Sequence, residues 1–280
     1  MELINTENAI DQLATPAVFK QPMLPIFEAI HNSIHSIIQS ETPEGKIIVK
    51  VQRKPVDGDL VHEVITDVVI TDNGVGFNDK NTKAYFQLFC DNKKAEFDSK
   101  GIGRLTYYVS FSEVAISSVF ALNGEYLKRN FKTDKANICS GDIPKHEPEN
   151  EKKYPVTSVH LKNLRPDLLE LYKSISPDIL IDSIQEHFIA SLLSVDTISI
   201  EINDGKIVTI DRNSFQSFKG KPFIIQNEIF DVFHIKRNPA TRSNHTITLS
   251  ASGREVESKK IDFLPGIKIG ERDDKFYHNL

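Results

Sequence analysis

The chain has 280 residues, which is long enough for one large domain or two smaller ones. Its 39% hydrophobic and 26% charged residues are typical of a globular protein, and a net charge of −5 excludes a uniformly basic surface for nucleic acid. Two cysteines indicate neither a disulfide framework nor a structural zinc site. Because the sequence shows no signal peptide and no apolar run of membrane-spanning length, we expect a cytoplasmic protein without a membrane anchor.

Residues 25–39 predict an amphipathic helix, since apolar residues recur there at three- and four-residue spacings. The apolar stripe contains Met23, Phe27, Ile30, Ile34, Ile37 and Ile38. A polar stripe of the same spacing contains Glu28, Asn32, His35 and Gln39. Glu28 can orient or deprotonate a water, and the carbonyl oxygen of Asn32 suits a hard cation such as Mg²⁺. The alternative interpretation is a solvated polar face.

Residues 46–52 and 63–71 are β-branched segments that predict a hairpin. The second strand runs directly into residues 72–77, with the sequence DNGVGF. Gly74 and Gly76 would let a ligand approach the backbone, and Asp72 is a fixed acceptor for an exocyclic amine. The alternative is a tight turn in which Asp72 caps the following residues.

A second glycine pair follows a short predicted helix over residues 79–90 and a polar stretch over 91–100 that is typical of a mobile loop or lid. Gly101 and Gly103 come just before a predicted helix over 106–111, flanked by Lys100 and Arg104. Free backbone N–H groups and the positive end of the helix dipole would favour a phosphate at this point. The alternative is a flexible hinge with solvated basic side chains.

Further strands are predicted over residues 113–120, 125–132, 155–164, 197–202 and 207–210, and a long helix over 177–193. Residues 219–222 have the composition of a linker, and short β segments follow over 223–225, 228–235 and 246–251. We therefore predict an α/β domain over residues 1–218 and a smaller, β-rich domain over 219–280.

Together these motifs resemble the GHKL ATPase superfamily of gyrase, heat-shock chaperones, histidine kinases and MutL. The resemblance covers residues 20 to 210, and it is closest to bacterial stand-alone ATP-binding proteins of the MORC-like branch. It implies a Bergerat fold, which is a two-layer α/β sandwich with a mixed, mostly antiparallel sheet and helices on one face. Residues 219–280 resemble the start of a transducer domain with a ribosomal-protein-like fold.

The resemblance also implies site roles. Glu28 would be the general base, Asn32 would bind Mg²⁺, Asp72 would bind the adenine amino group, and Thr157 would support Asp72. The remaining predicted nucleotide-binding residues belong to the two glycine motifs: Asn73, Gly74, Gly76, Phe77, Lys100, Gly101, Ile102, Gly103, Arg104 and Leu105.

The implied function is Mg²⁺-dependent ATP binding and slow hydrolysis that drives lid closure and homodimerisation, as a clamp for a nuclease or helicase partner in DNA processing or antiviral defence. Two departures concern the site: His35 stands where the family has Asp, and Val156 stands where a glycine often precedes the threonine. A third is a transducer region shorter than is usual in the family, which would also supply a lysine to the terminal phosphate. Either the sequence is a fragment, or that lysine is among Lys259, Lys260 and Lys268, for which plain surface charges are an equal alternative.

Three alternatives stay open. The first is a non-catalytic module that binds nucleotide or only a partner. His35 is the residue that supports this alternative. A histidine-kinase-like phosphotransferase is disfavoured, because no preceding helix carries a phospho-accepting histidine. Direct DNA binding would need a basic patch, for which the candidates are Lys93, Lys94, Lys128, Arg129 and Lys132.

Overall fold

The computed structural model describes Ile10 and residues 14–40, 42–56, 59–86, 103–138, 143–236, 246–251 and 254–260. The α-helices of these ranges are α1 (Thr15–Lys20), α2 (Leu24–Ser40), α3 (Asp79–Phe86), α4 (Leu105–Ser110), α5 (Leu169–Lys173) and α6 (Pro177–Ser194), and 3₁₀ turns lie at Pro166–Leu168 and Arg212–Ser214. No helix within the described ranges is both long and apolar enough to cross a membrane.

Eight strands form one mixed sheet. They are β1 (Gly45–Val56), β2 (Asp59–Asp72), β3 (Phe111–Leu122), β4 (Glu125–Thr133), β5 (Glu147–Pro148), β6 (Val156–Leu164), β7 (Ile198–Asp204) and β8 (Lys206–Ile210). Their order is β5-β4-β3-β6-β2-β1-β7-β8. β1 and β7 pair in parallel, whereas β1–β2, β2–β6, β6–β3, β3–β4 and β4–β5 are antiparallel. The fold is therefore α/β with a mostly antiparallel sheet, as predicted.

One face of this sheet is buried beneath helices. In β1, Ile47 and Val49 are buried while Lys46 and Lys50 are exposed, because successive strand side chains point to opposite faces. Helix α2 packs against β1 and β2, and α4 packs against β3. The amphipathic helix therefore lies next to the strand end that carries Asp72.

Most predicted elements are confirmed with end points shifted by a few residues. The last part of the helix predicted over 79–90, residues 87–90, lies outside the described residues. Three predictions are corrected. Ile38 is 39% exposed, because its neighbour Ile37 occupies the position that faces the sheet. The segment predicted as one strand over 228–235 forms two, β11 (Glu228–Phe230) and β12 (Phe233–Lys236). The predicted linker over 219–222 begins inside a strand, β9 (Gln216–Lys219), which pairs with β12.

The described chain forms two compact units. The first contains the described residues up to Ile184 together with Thr197–Thr209, and the second contains Gln185–Asp196 and the described residues from Ile210 onward. The second unit includes two further hairpins, β10 (Phe223–Ile225) with β11, and β13 (Thr246–Ala251) with β14 (Arg254–Lys260). A domain boundary near residue 218 stays a prediction.

Candidate functional site

A cavity in the first unit lies between α2, α3 and the ends of β2 and β6. Its walls bring together residues that are up to about 130 positions apart in the chain: Glu28, Ala29, Asn32, Ser33, Ser36, Gln39, Asp72, Gly76, Phe77, Asn81, Ala84, Tyr85, Arg104, Tyr107, Thr157 and Val159. The first two sequence motifs and Thr157 therefore meet in one place.

The polar stripe of α2 forms one wall of the cavity, with one correction to its predicted members. Glu28, Asn32 and Gln39 line the cavity, but His35 is buried and its ring lies 6.4 Å from that of His31. Ser36 occupies the place on the wall that the sequence assigned to His35. One residue is a rotation of about 100° around a helix, so neighbouring positions face different surroundings.

Asn32 is held in a defined orientation by two acceptors. Its Nδ2 donates to Glu28 Oε1 at 3.3 Å and to the Tyr107 hydroxyl at 3.1 Å. An amide nitrogen has two hydrogens, so these bonds use both of them and fix the carbonyl oxygen as the group available to a ligand. Burial first, and the Glu28 charge second, raise the pKa of Tyr107 well above its ordinary value, which keeps this phenol protonated.

Asp72 ends β2 as a buried carboxylate. Oδ2 accepts from the Ser33 hydroxyl at 2.9 Å, and Oδ1 accepts from the Gly74 backbone N–H at 2.9 Å. Burial raises the Asp72 pKa from 3.8 to about 6, because desolvation outweighs the hydrogen bonds from Gly74, Ser33 and Ser36 that lower it. A carboxylate that is buried despite this unfavourable desolvation is a candidate for ligand recognition.

This raised pKa predicts a pH-dependent stability. Between about pH 4 and pH 6 the unfolded chain loses the Asp72 proton while the folded protein keeps it, so the contribution of Asp72 to the free energy of unfolding falls as pH rises, by about 3 kcal/mol at most. We expect Asp72→Asn to remove this dependence. Urea unfolding of both proteins across this pH range measures the difference; parallel stability curves would contradict the assignment.

Three glycines allow the close contacts around the cavity. A Cβ at Gly74 would lie 2.5 Å from the backbone of Ser36, and the neighbouring Val75 N–H donates to the Ser36 carbonyl at 3.1 Å. Gly76 has a φ of 75°, which favours glycine. A Cβ at Gly103 would overlap the Glu28 carboxylate, so the second glycine motif reaches the predicted base.

A hydroxyl pair supports the wall opposite α2. Thr157 pairs with Asp72 across β6 and β2 and with Ser118 across β6 and β3. The Thr157 and Ser118 hydroxyls lie 2.8 Å apart, and Ser118 Oγ accepts from the Phe77 N–H at 2.9 Å. Thr157 therefore links the strand beside Asp72 to the loop that carries Gly76.

The other predicted site residues differ in where they lie. Phe77 and Arg104 line the cavity, and Arg104 Nη1 donates to the Ala84 carbonyl at 2.7 Å while its guanidinium lies over the Tyr85 ring. Asn73 instead bonds to the backbone of Glu44 and Lys46, each at 2.8 Å. Leu105 is fully buried. Lys100, Gly101 and Ile102 lie outside the described residues, as does the predicted lid over 91–100.

Among the described candidates for a basic DNA-binding patch, Lys128, Arg129 and Lys132 do not share one exposed surface. Arg129 is buried and paired with Asp79, and Lys132 pairs with Glu113, whereas Lys93 and Lys94 lie outside the described residues. Lys128 and Lys132 are also on the opposite face of β4 from Arg129, since they differ by an odd number of positions from it. Of the candidate transducer lysines, Lys259 and Lys260 lie on β14, and Lys268 is outside the described ranges.

Sequence reasoning missed six polar residues of the site: Ser33, Ser36, Asn81, Tyr85, Tyr107 and Ser118. Ser33 and Ser36 could have been found from their position on the same side of α2 as Asn32. Tyr107 and Ser118 carry no comparable signal, because their contacts depend on how α4 and β3 pack against distant elements.

Comparison with known proteins gives no family for this chain. No protein-family model matches the sequence, and no curated protein is significantly similar to it.

Proposed function

We propose that this protein binds ATP with Mg²⁺ and slowly hydrolyses it to ADP and phosphate. The observation that carries the proposal is the convergence of Glu28, Asn32 and Asp72 on one cavity, with Gly76 and Gly103 at its edges. These residues supply a base, a neutral oxygen ligand, an acceptor for an amino group and two places of close backbone approach. The resemblance of the same motifs to GHKL ATPases, and hence to a Bergerat fold, points to the same function.

Asp72 fits recognition of the adenine amino group. Its two oxygens offer about four acceptor positions, more than the hydrogen bonds from Ser33, Ser36 and Gly74 occupy, so capacity remains for an exocyclic N–H or a bridging water. Thr157 is its partner across the strands and would hold such a water in place. Guanine offers a carbonyl where adenine offers the amino group, so the carboxylate would repel it.

Asn32 fits a magnesium ion. Its amide N–H groups are used by Glu28 and Tyr107, which leaves the carbonyl oxygen, a ligand type that Mg²⁺ accepts. No group of three or more His, Cys, Asp or Glu able to hold a metal occurs in the described part of the chain, which suits an ion held mainly by phosphate oxygens and water. When bound, the ion neutralises charge on the phosphates.

Glu28 would orient the attacking water and accept its proton. The carboxylate lies beside Asn32 and against Gly103, so a terminal phosphate next to that glycine would be within reach of the activated water. Water attacks the terminal phosphorus, the bond to the bridging oxygen breaks, and ADP leaves. Arg104 at the cavity wall would offset the negative charge of the phosphates.

The wider role also belongs to this proposal. ATP-driven lid closure and homodimerisation would make the protein a clamp that acts with a DNA-processing or defence partner, such as a nuclease or helicase. This part rests on the resemblance of the motifs alone.

Phosphate release tests the proposal. We expect purified protein to release phosphate from ATP at a low rate with Mg²⁺ and to stop when the ion is removed by a chelator, because Arg104 alone would not offset the charge of the triphosphate. ATP binding without any Mg²⁺-dependent release would support the non-catalytic module instead. A stable phosphoprotein after incubation with labelled ATP would favour the phosphotransferase.

A further inference from the structure

A second, open groove lies on the other side of α3 from the cavity. Its volume is about 650 Å³, and its walls come from α3, from β4 and from the segment that precedes β5. The lining residues are Asp79, Lys80, Lys83, Arg129, Ile143, Pro144, Lys145 and His146. All of them belong to the first compact unit.

This groove is locally basic in an acidic protein. Four cationic side chains face one carboxylate, so the lysines, the arginine and the aspartate of the groove sum to three positive charges, whereas the whole chain carries −5. The carboxylate, Asp79, is already paired with Arg129. Lys80, Lys83 and Lys145 are exposed and form no ion pair with any carboxylate in the described ranges. The groove therefore gathers three exposed ammonium groups on one concave surface.

Helix α3 connects the groove to the cavity. Asp79, Lys80 and Lys83 line the groove, while Asn81 and Tyr85 of the same helix line the cavity. A helix of eight residues has little freedom to move one face without the other.

Arg129 forms a second connection. It lines the groove and donates from Nη1 to the Phe77 carbonyl at 2.6 Å and to the Thr82 hydroxyl. Phe77 in turn lines the cavity. An anion that draws Arg129 or the lysines toward the groove would therefore act on a residue of the cavity wall.

We propose that the groove binds a phosphate-bearing ligand and that its occupancy changes the affinity of the neighbouring cavity for nucleotide. Lysine ammonium groups are compact charges with rotatable donors, and three of them suit a multiply charged phosphate better than a single carboxylate. The phosphate comes from a free phosphorylated molecule or from a nucleic-acid backbone. Binding in the groove is independent of the proposed ATPase function, but the effect on nucleotide affinity rests on it.

Binding is tested on nucleotide-free protein with two probes, pyrophosphate by calorimetry and a short single-stranded oligonucleotide by fluorescence polarisation. We expect the triple variant Lys80→Gln, Lys83→Gln, Lys145→Gln to lose at least about tenfold in affinity for the probe that binds, since charge neutralisation dominates phosphate contacts. The matched control is Lys50→Gln, Lys152→Gln, Lys153→Gln, which removes three exposed lysines elsewhere. Unchanged thermal unfolding of the triple variant shows that the loss is not due to misfolding.

The two probes separate the sources of the phosphate. Tight pyrophosphate binding indicates a free phosphorylated ligand, and oligonucleotide binding that pyrophosphate displaces only weakly indicates a nucleic-acid backbone. Absence of binding by both probes, equal loss in the control, or equal binding of a polyglutamate peptide overturns the groove as a phosphate site. Measuring ATP affinity with and without a saturating probe tests whether occupancy of the groove changes nucleotide binding in the cavity. Equal ATP affinities would overturn this effect, but they would leave the phosphate site in the groove and the ATPase proposal standing.

Discussion

Glu28→Gln is expected to lower Mg²⁺-dependent ATP hydrolysis by about 10²–10⁴-fold, the usual contribution of a general base, while ATP affinity stays near that of the parent. Glutamine keeps the length of the side chain and an oxygen that can still accept from Asn32, so the local geometry of α2 is preserved. It cannot take a proton from water at neutral pH. The loss should therefore fall on turnover and not on binding.

Single-turnover phosphate release, with ATP affinity measured separately, tests this expectation. Glu63→Gln is the matched control, because Glu63 is an exposed glutamate on β2 that does not line the cavity. It should hydrolyse ATP like the parent. Parental turnover in Glu28→Gln would show that another group activates the water, and equal losses in binding and turnover would give Glu28 a structural role.

Asp72→Asn has the second large expected effect, a loss of ATP affinity of about 100-fold or more. The substitution removes the buried acceptor of the adenine amino group, and the loss of one partner of such a buried hydrogen bond strongly weakens binding. In the parent, both carboxylate oxygens accept from the protein and retain capacity for a ligand. The amide replaces one oxygen with a donor and removes the charge. The folded protein should tolerate the change, since burial no longer opposes a charge at this position.

Asp67→Asn is the control for this second prediction. Asp67 lies on the same strand but contacts His160 and the Asn163 N–H on the part of the sheet away from the cavity. ATP affinity should be unchanged there. If Asp72→Asn bound ATP as tightly as the parent, the base would be recognised by other groups and the orientation of nucleotide in the cavity would have to be revised.

The local elements of the fold were predictable, because each depends on a short-range pattern. The apolar spacing in α2 and the alternation in β1 and β2 are properties of adjacent residues. The position of β6 between β2 and β3 was not predictable in this way, since it depends on pairing across about ninety residues. That pairing puts Thr157 beside Asp72, which the resemblance anticipated but periodicity alone could not.

The site itself was predictable in part for the same reason. Glu28 and Asn32 are one turn apart, and Asp72 is marked by the glycines that follow it. His35 shows the limit of spacing arguments: it fits the polar stripe by count, yet it turns toward the core and Ser36 faces the cavity. Tyr107 and Ser118 were not predictable, because ordinary aromatic and polar residues acquire these roles only through tertiary packing.

Calorimetric titration of the protein with a non-hydrolysable ATP analogue and Mg²⁺, beside the corresponding GTP analogue, tests the central claim most directly. The account predicts saturable binding of one ATP analogue per chain, a preference over the GTP analogue of at least about tenfold, and loss of binding in Asp72→Asn. Absence of binding in the parent, or equal affinity for the two analogues, would contradict the assignment of this cavity to ATP.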